Sequence, residues 1–251
     1  MNDLEKEIQL TLTLFNLKKY SEAQIKAKKL IFIHPKIVFL YNILGLILTE
    51  KKEIDEAIEI FNKGILIEPN HAMIFNNLGT AYKLKDDYTN SENYYKKSIS
   101  IDRNISETHN NLGNLYIHLN KHEKGIDCYK KSILINPNFF VGHYNLGLAY
   151  KSMGKFLEAK KHLTETTKIN PNFFPGHRSL SQVIKYNNNE KHFEILKALY
   201  QKEKDNNKPI DEIAFALGKA YEDIKDYDNA YKYFNIGNNS KRANIKFEIK
   251  N

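Results

Sequence analysis

Three histidines, His109, His143 and His177, recur at every thirty-fourth position, and with Cys128 they are the residues here best suited to holding a metal. Zinc needs its ligands about 2 Å from one ion. Side chains one such interval apart are separated by the spacing of packed helices, roughly 10 Å. Tyr41 and Phe75 fill the same position in the register, so these histidines are expected to pack as aromatic rings. His118 and His122 lie four apart, but a turn falls between them and no third ligand is in sight. Cys128, between Ile126 and Tyr129, has no partner and reads as a small buried apolar group. Neither metal nor cofactor is expected. Asparagine offers different chemistry, because its amide both donates and accepts hydrogen bonds and suits an extended peptide backbone. Asn77, Asn111 and Asn145 repeat at the same interval, flanked by Asn76, Asn110 and Asn114. Glycine-rich phosphate loops, nucleophile elbows and zinc-protease motifs are missing, and no acidic pair stands out for acid–base work. The chemistry on offer is recognition, so the chain is read as a non-enzyme.

The elements that would position these groups follow from the same interval. The phrase Asn42-Ile43-Leu44-Gly45 returns as Asn77-Leu78-Gly79, Asn111-Leu112-Gly113 and Asn145-Leu146-Gly147, each glycine one interval on. Leu217-Gly218 follows slightly more than two intervals after the last. A fixed period of this size marks stacked copies of one small unit. In the copy from Ala72, Phe75, Leu78, Gly79 and Tyr82 form one apolar helix face, and Lys85-Asp86-Asp87 breaks the pattern. Tyr88, Ser91, Tyr95, Ser98 and Ile101 then resume helical spacing. Pro35, Pro69, Pro137 and Pro171 close neighbouring copies, where proline stops a second helix. A glycine inside a helix costs about 1 kcal/mol against alanine, so four in register imply a close helix contact. Ala23, Ala57, Ser91, Gly125, Ala159 and Ala230 are the small residues expected to meet it.

These features resemble the tetratricopeptide repeat, which implies an all-α, right-handed superhelical solenoid of stacked antiparallel helix pairs. Residues 1–173 are expected to form the array, in repeats starting at 4, 38, 72, 106 and 140. The first lacks the glycine and has Thr11 there. Residues 174–210 read as a remodelled pair and loop, with Leu180-Ser181 replacing Leu-Gly, a stretched turn at Tyr186-Asn187-Asn188-Asn189, and a loop Asp205-Asn206-Asn207-Lys208-Pro209. Residues 211–251 form a last repeat and a tail with Ile245, Phe247 and Ile249.

The resemblance places the first helix of each repeat on the concave side. Asn77, Asn111 and Asn145 then match the asparagine ladder of protein O-linked N-acetylglucosamine transferases, with Ile43 and Ser179 interrupting it. Asn76, Asn110, Asn114 and Gln182 widen the strip, and Lys83, Lys151, Lys185 and Arg178 sit on the same helices. The competing role for these asparagines is to cap or bridge neighbouring helices. A carboxylate clamp of the co-chaperone type is excluded, since Ile8 and Leu12 stand where it needs lysine and asparagine. The expected partner is a peptide or protein segment in the concave groove.

The formal charge of +8 and pI near 9.2 favour acidic partners, yet the lysines are scattered and no base-reading set recurs, so nucleic acid ranks behind peptide. No membrane partner is expected: the longest apolar stretch, Ile37 to Leu48, is too short to span a bilayer, and Met1 to Glu7 is no signal sequence. A cytoplasmic setting is the default. Residues Phe173 to Asn239, including Phe173-Phe174-Pro175-Gly176-His177-Arg178, Phe215-Ala216-Leu217-Gly218-Lys219-Ala220-Tyr221 and Gly237-Asn238-Asn239, resemble the segment that joins repeats to catalytic domain in bacterial tetratricopeptide-repeat sulfotransferases. That resemblance implies a non-catalytic targeting region, with a partner domain, covalent or not, covering the C-terminal end.

Overall fold

The computed structural model describes residues 3–206 and 210–244, among which are fourteen α-helices and no strand. They fall into two compact units, Met1–Ile135 and Asn136–Asn251. The first holds α1 (Asp3–Asn16), α2 (Tyr20–Ile33), α3 (Val38–Glu50), α4 (Ile54–Ile67), α5 (Ala72–Leu84), α6 (Tyr88–Ile101), α7 (Ser106–His118) and α8 (His122–Ile135). The second holds α9 (Phe140–Ser152), α10 (Phe156–Ile169), α11 (Phe174–Ser181), α12 (Lys191–Asp205), α13 (Asp211–Asp223) and α14 (Tyr227–Asn244). First helices begin at Val38, Ala72, Ser106 and Phe140, the frame that the repeated phrase sets. No helix of the described residues is long and apolar enough to cross a membrane.

A short turn joins the two helices of each regular repeat, and its middle residue carries a positive φ. Lys18, Lys52, Asp86, Asn120 and Lys225 lie between 57° and 65°, and Gly154 at 72°. These positions step along the chain in the same register as the glycine phrase. Only Gly154 adopts this left-handed conformation without the steric penalty that a Cβ brings. Lys52→Gly is therefore expected to stabilise the fold by about 0.5–1 kcal/mol, and Gly154→Ala to destabilise it by about 1 kcal/mol. A Cβ at Gly154 meets nothing within 4 Å, so the loss is a backbone effect alone. Opposite shifts of the thermal midpoint check this pair, and a silent Gly154→Ala would refute it.

The helical glycines answer to something larger than the small residues of the second helix. A Cβ on Gly79 would stand 2.6 Å from the Tyr95 ring, on Gly113 2.6 Å from Tyr129, on Gly147 2.7 Å from Leu163, and on Gly218 2.6 Å from Phe234. Gly45 faces the Phe61 ring in the same way. Each hairpin is thus closed by one large side chain laid across a bare stretch of backbone. The first repeat inverts the arrangement, with Thr11 and Ala27 at the two equivalent positions, both buried. Ser91, at the small position, adds a hydrogen bond from its hydroxyl to Gly79 O at 2.7 Å.

The remodelled repeat departs for a volumetric reason. Phe193 occupies the position that Ala159 holds one period earlier, so α12 cannot close on α11. Instead α11 packs on α10 and α13, and α12 packs on α13. Its connection, residues 182–190, lacks the positive-φ turn. Because α11 ends at Ser181, Gln182 and Lys185 are not on a first helix, which corrects the sequence expectation. Helix α12 runs on to Asp205, so the expected loop there begins later. Its residues 207–209 lie outside the described residues, as do Ile245, Phe247 and Ile249.

Candidate functional site

In the first compact unit the nominated asparagines meet one another. Asn111 Nδ2 donates to Asn76 Oδ1 at 3.0 Å, Asn76 Nδ2 to Asn77 Oδ1 at 3.0 Å, and Asn77 Nδ2 to Asn42 Oδ1 at 2.7 Å. The bonds between helices run from α7 to α5 and from α5 to α3, and each joins side chains one position further apart than the repeat. They therefore cross between two columns of the repeat instead of following one. Asn42, Asn76 and Asn77 are buried, whereas Asn111 is half-exposed. Bridging of neighbouring helices is thus one function these side chains perform. An amide has four hydrogen-bonding valences, and this chain of bonds leaves the Asn111 carbonyl for another donor.

Asn42 is the member that sequence reasoning misses. Its signal is present, because it opens the first copy of the phrase and supplies the acceptor that Ile43 cannot. Asn114 turns the other way and accepts from the Tyr129 hydroxyl at 2.7 Å, within its own hairpin. Asn110 is buried and Asn145 half-exposed. Lys83, half-buried in the last turn of α5, has no ion-pair partner among the described residues, and burial pulls its ammonium pKa down. A desolvated, unpaired cation gains from an incoming carboxylate.

Arg178 and Lys151, the basic groups nominated in the second unit, are already engaged. Arg178 Nη1 donates to both carboxylate oxygens of Glu212, at 3.0 and 3.2 Å, and its guanidinium lies 4.5 Å from the centre of the Phe215 ring. Lys151 donates to Gln182 Oε1, and burial together with nearby Arg178 lowers its pKa.

The repeating histidines do have a shared task. His109, His143 and His177 each point Nε2 at the carbonyl six residues earlier, on Arg103, Pro137 and Pro171, at 3.1, 3.1 and 2.9 Å. Tyr41 does the same with its hydroxyl to Pro35 O at 2.9 Å. The position ties α3, α7, α9 and α11 each to the turn before it. Among the described residues no three metal-binding groups gather. The Cys128 thiol is buried, which pushes its pKa up to about 11 and keeps it protonated at neutral pH.

Stacked helical hairpins carrying a polar strip on their first helices define an all-α solenoid. The chain belongs to the tetratricopeptide repeat family, whose models match residues 40–71, 74–105, 106–139, 140–173 and 211–235. Among solved structures it is similar to a thermophilic tetratricopeptide-repeat protein of Thermus thermophilus, at 15% identity and a TM-score of 0.64 over 72% of this chain and 98% of that one. PilF of Pseudomonas aeruginosa matches at 14% identity and a TM-score of 0.63, over 91% and 96%. YrrB, described as a repeat protein with an unusual peptide-binding site, matches at 16% identity and a TM-score of 0.50, over 82% and 96%. At these identities the likeness concerns the fold. No curated protein sequence matches the chain.

Proposed function

We propose that the chain is a non-catalytic scaffold that binds an extended peptide or protein segment along its first-helix face. The observation that carries this reading is the asparagine relay, which fixes the half-exposed Asn111 beside buried amides. Lys83 on the same set of helices supplies a cation that an acidic residue of the partner satisfies. YrrB, a neighbour in fold, is described as peptide-binding, which is in keeping with the reading.

The test begins with peptides selected from a random display library on the intact chain. The combined variant Asn111→Ala, Asn145→Ala and Lys83→Glu is expected to bind them at least about tenfold more weakly, the loss of roughly 1.4 kcal/mol. Asn77 is left in place, because its removal also breaks the buried relay. Unchanged affinity in a variant with unaltered circular dichroism would remove the first-helix face as the binding surface.

A second reading makes the chain the non-catalytic repeat region of a sulfotransferase. It draws support from Tyr227 and Tyr231, one turn apart on α14 and 65% and 75% exposed, which leave an aromatic face for another domain to cover. Reading the gene past codon 251 separates the two. A sulfate-donor domain there favours the second reading, and a stop codon removes it.

A further inference from the structure

In the second compact unit the displacement of α12 opens a cavity of about 570 Å³ between α10, α11 and α12. Smaller hollows of about 360 and 280 Å³ occupy the corresponding place beside His109 and His143. Beside His177 the remodelled second helix makes the hollow larger than the other two and brings it well into the range of small-molecule sites. Helix α11 contributes His177 and Leu180 to it, but none of the residues nominated for peptide binding lines it, so it is distinct from that strip.

The floor of this cavity is apolar in effect, although two histidines form part of it. His177 Nε2–H donates to Pro171 O at 2.9 Å, which leaves its Nδ1 as an acceptor. His192 Nε2–H fills that acceptor at 3.0 Å, and the Tyr186 hydroxyl donates to His192 Nδ1 at 2.6 Å. All four ring nitrogens are thereby occupied in one consistent pair of neutral tautomers. A ligand finds no free polar atom on these rings and meets their faces beside Leu180, Ile184 and Pro171. The mouth has the opposite character. Lys160, Lys168 and Lys191 line it, with Lys168 paired to Glu165 and Glu190 as the acid in the lining. The first turn of α12, which no side chain caps, opens there too and favours negative charge.

We propose that this cavity binds a small amphipathic carboxylate, its apolar body on the histidine and leucine floor and its acid group among the lysines of the mouth. This rests on the cavity alone and stands or falls separately from peptide binding.

The probe is 4-phenylbutyrate, compared with its amide and with 4-phenylbutylamine, which keep the body and change the charge. Titration into ¹⁵N-labelled intact chain is expected to move the amides of α10, α11 and α12 saturably with the acid. The neutral amide binds about fivefold more weakly and the amine more weakly still, the margin expected of one partly exposed ion pair. Lys160→Gln with Lys191→Gln brings the acid down to the level of the amide. Thr164→Trp, which fills the cavity from α10, abolishes binding. Ile195→Trp blocks the mouth from an exposed position on α12, where it cannot disturb the core, and does the same. Equal binding of acid, amide and amine would overturn the proposal. So would binding that survives both tryptophans, or no saturable shift with acid up to about 10 mM.

Discussion

Phe61→Ala is expected to destabilise the first compact unit by about 3–5 kcal/mol, because the ring is fully buried and nothing else can lie against Gly45. The more telling variant is the double one. Gly45→Thr alone is expected to be damaging, since its Cβ would enter the space of the Phe61 ring and overpacking costs about 1–3 kcal/mol. Together the two changes copy the Thr11 and Ala27 pair of the first repeat, which buries both residues in the same register. The double variant should then be more stable than Phe61→Ala by about 1 kcal/mol or more, a favourable coupling between two unfavourable changes. Urea unfolding of the four proteins measures this. Simple additivity would show that the two positions do not share one volume.

Acid should weaken the second compact unit well before its carboxylates protonate. His192 is 6% exposed and His177 1%, and burial depresses both pKa values, that of His192 to about 3, with neighbouring His177 adding to the shift. A histidine with a folded pKa below its unfolded value, near 6.5, takes up its proton first in the unfolded chain. Its stabilising contribution is whole above about pH 6.5 and is lost as pH falls toward the folded value. Each such histidine contributes a slope of at most about 1.4 kcal/mol per pH unit. Between about pH 6.5 and 4.5 the urea midpoint should therefore fall, and His192→Phe should flatten the dependence even though it lowers stability at neutral pH. The buried His109 of the first unit, also depressed by burial, leaves a residual slope there. A midpoint independent of pH over this range would mean that the histidine pair is not neutral and buried together.

How much of this can be read from the sequence depends on whether a feature is local. Helix starts at Val38, Ala72, Ser106 and Phe140 are legible, because periodic apolar residues and prolines mark them within one repeat. The glycines are legible as sites of close approach, but their partners are not. Small residues such as Ala57 and Ser91 attract notice, whereas Phe61 and Tyr95 look like any core ring until their depth is known. The asparagines read as one column facing a ligand. Stacking offsets adjacent repeats slightly, so the side chains that meet lie one position beyond the repeat, and Asn42 enters from the neighbouring column. The closure of the histidine pair is out of reach, because His192 stands in a helix whose displacement follows from the bulk of Phe193. The same displacement leaves Gln182 and Lys185 off the first helix.

The asparagine relay also bears on how the first unit comes apart. Two of its three bonds join different repeats, so their energy belongs to nearest-neighbour coupling and hardly at all to the stability of a single hairpin. In a quasi-one-dimensional array that coupling decides whether the repeats melt together or fray from an end. In both bonds the donor sits on the later repeat and the acceptor on the earlier one. A repeat lost from the N-terminal side therefore strands a donor on its neighbour, and one lost from the other side strands an acceptor. The relay thus couples the second, third and fourth repeats and favours their melting as one body.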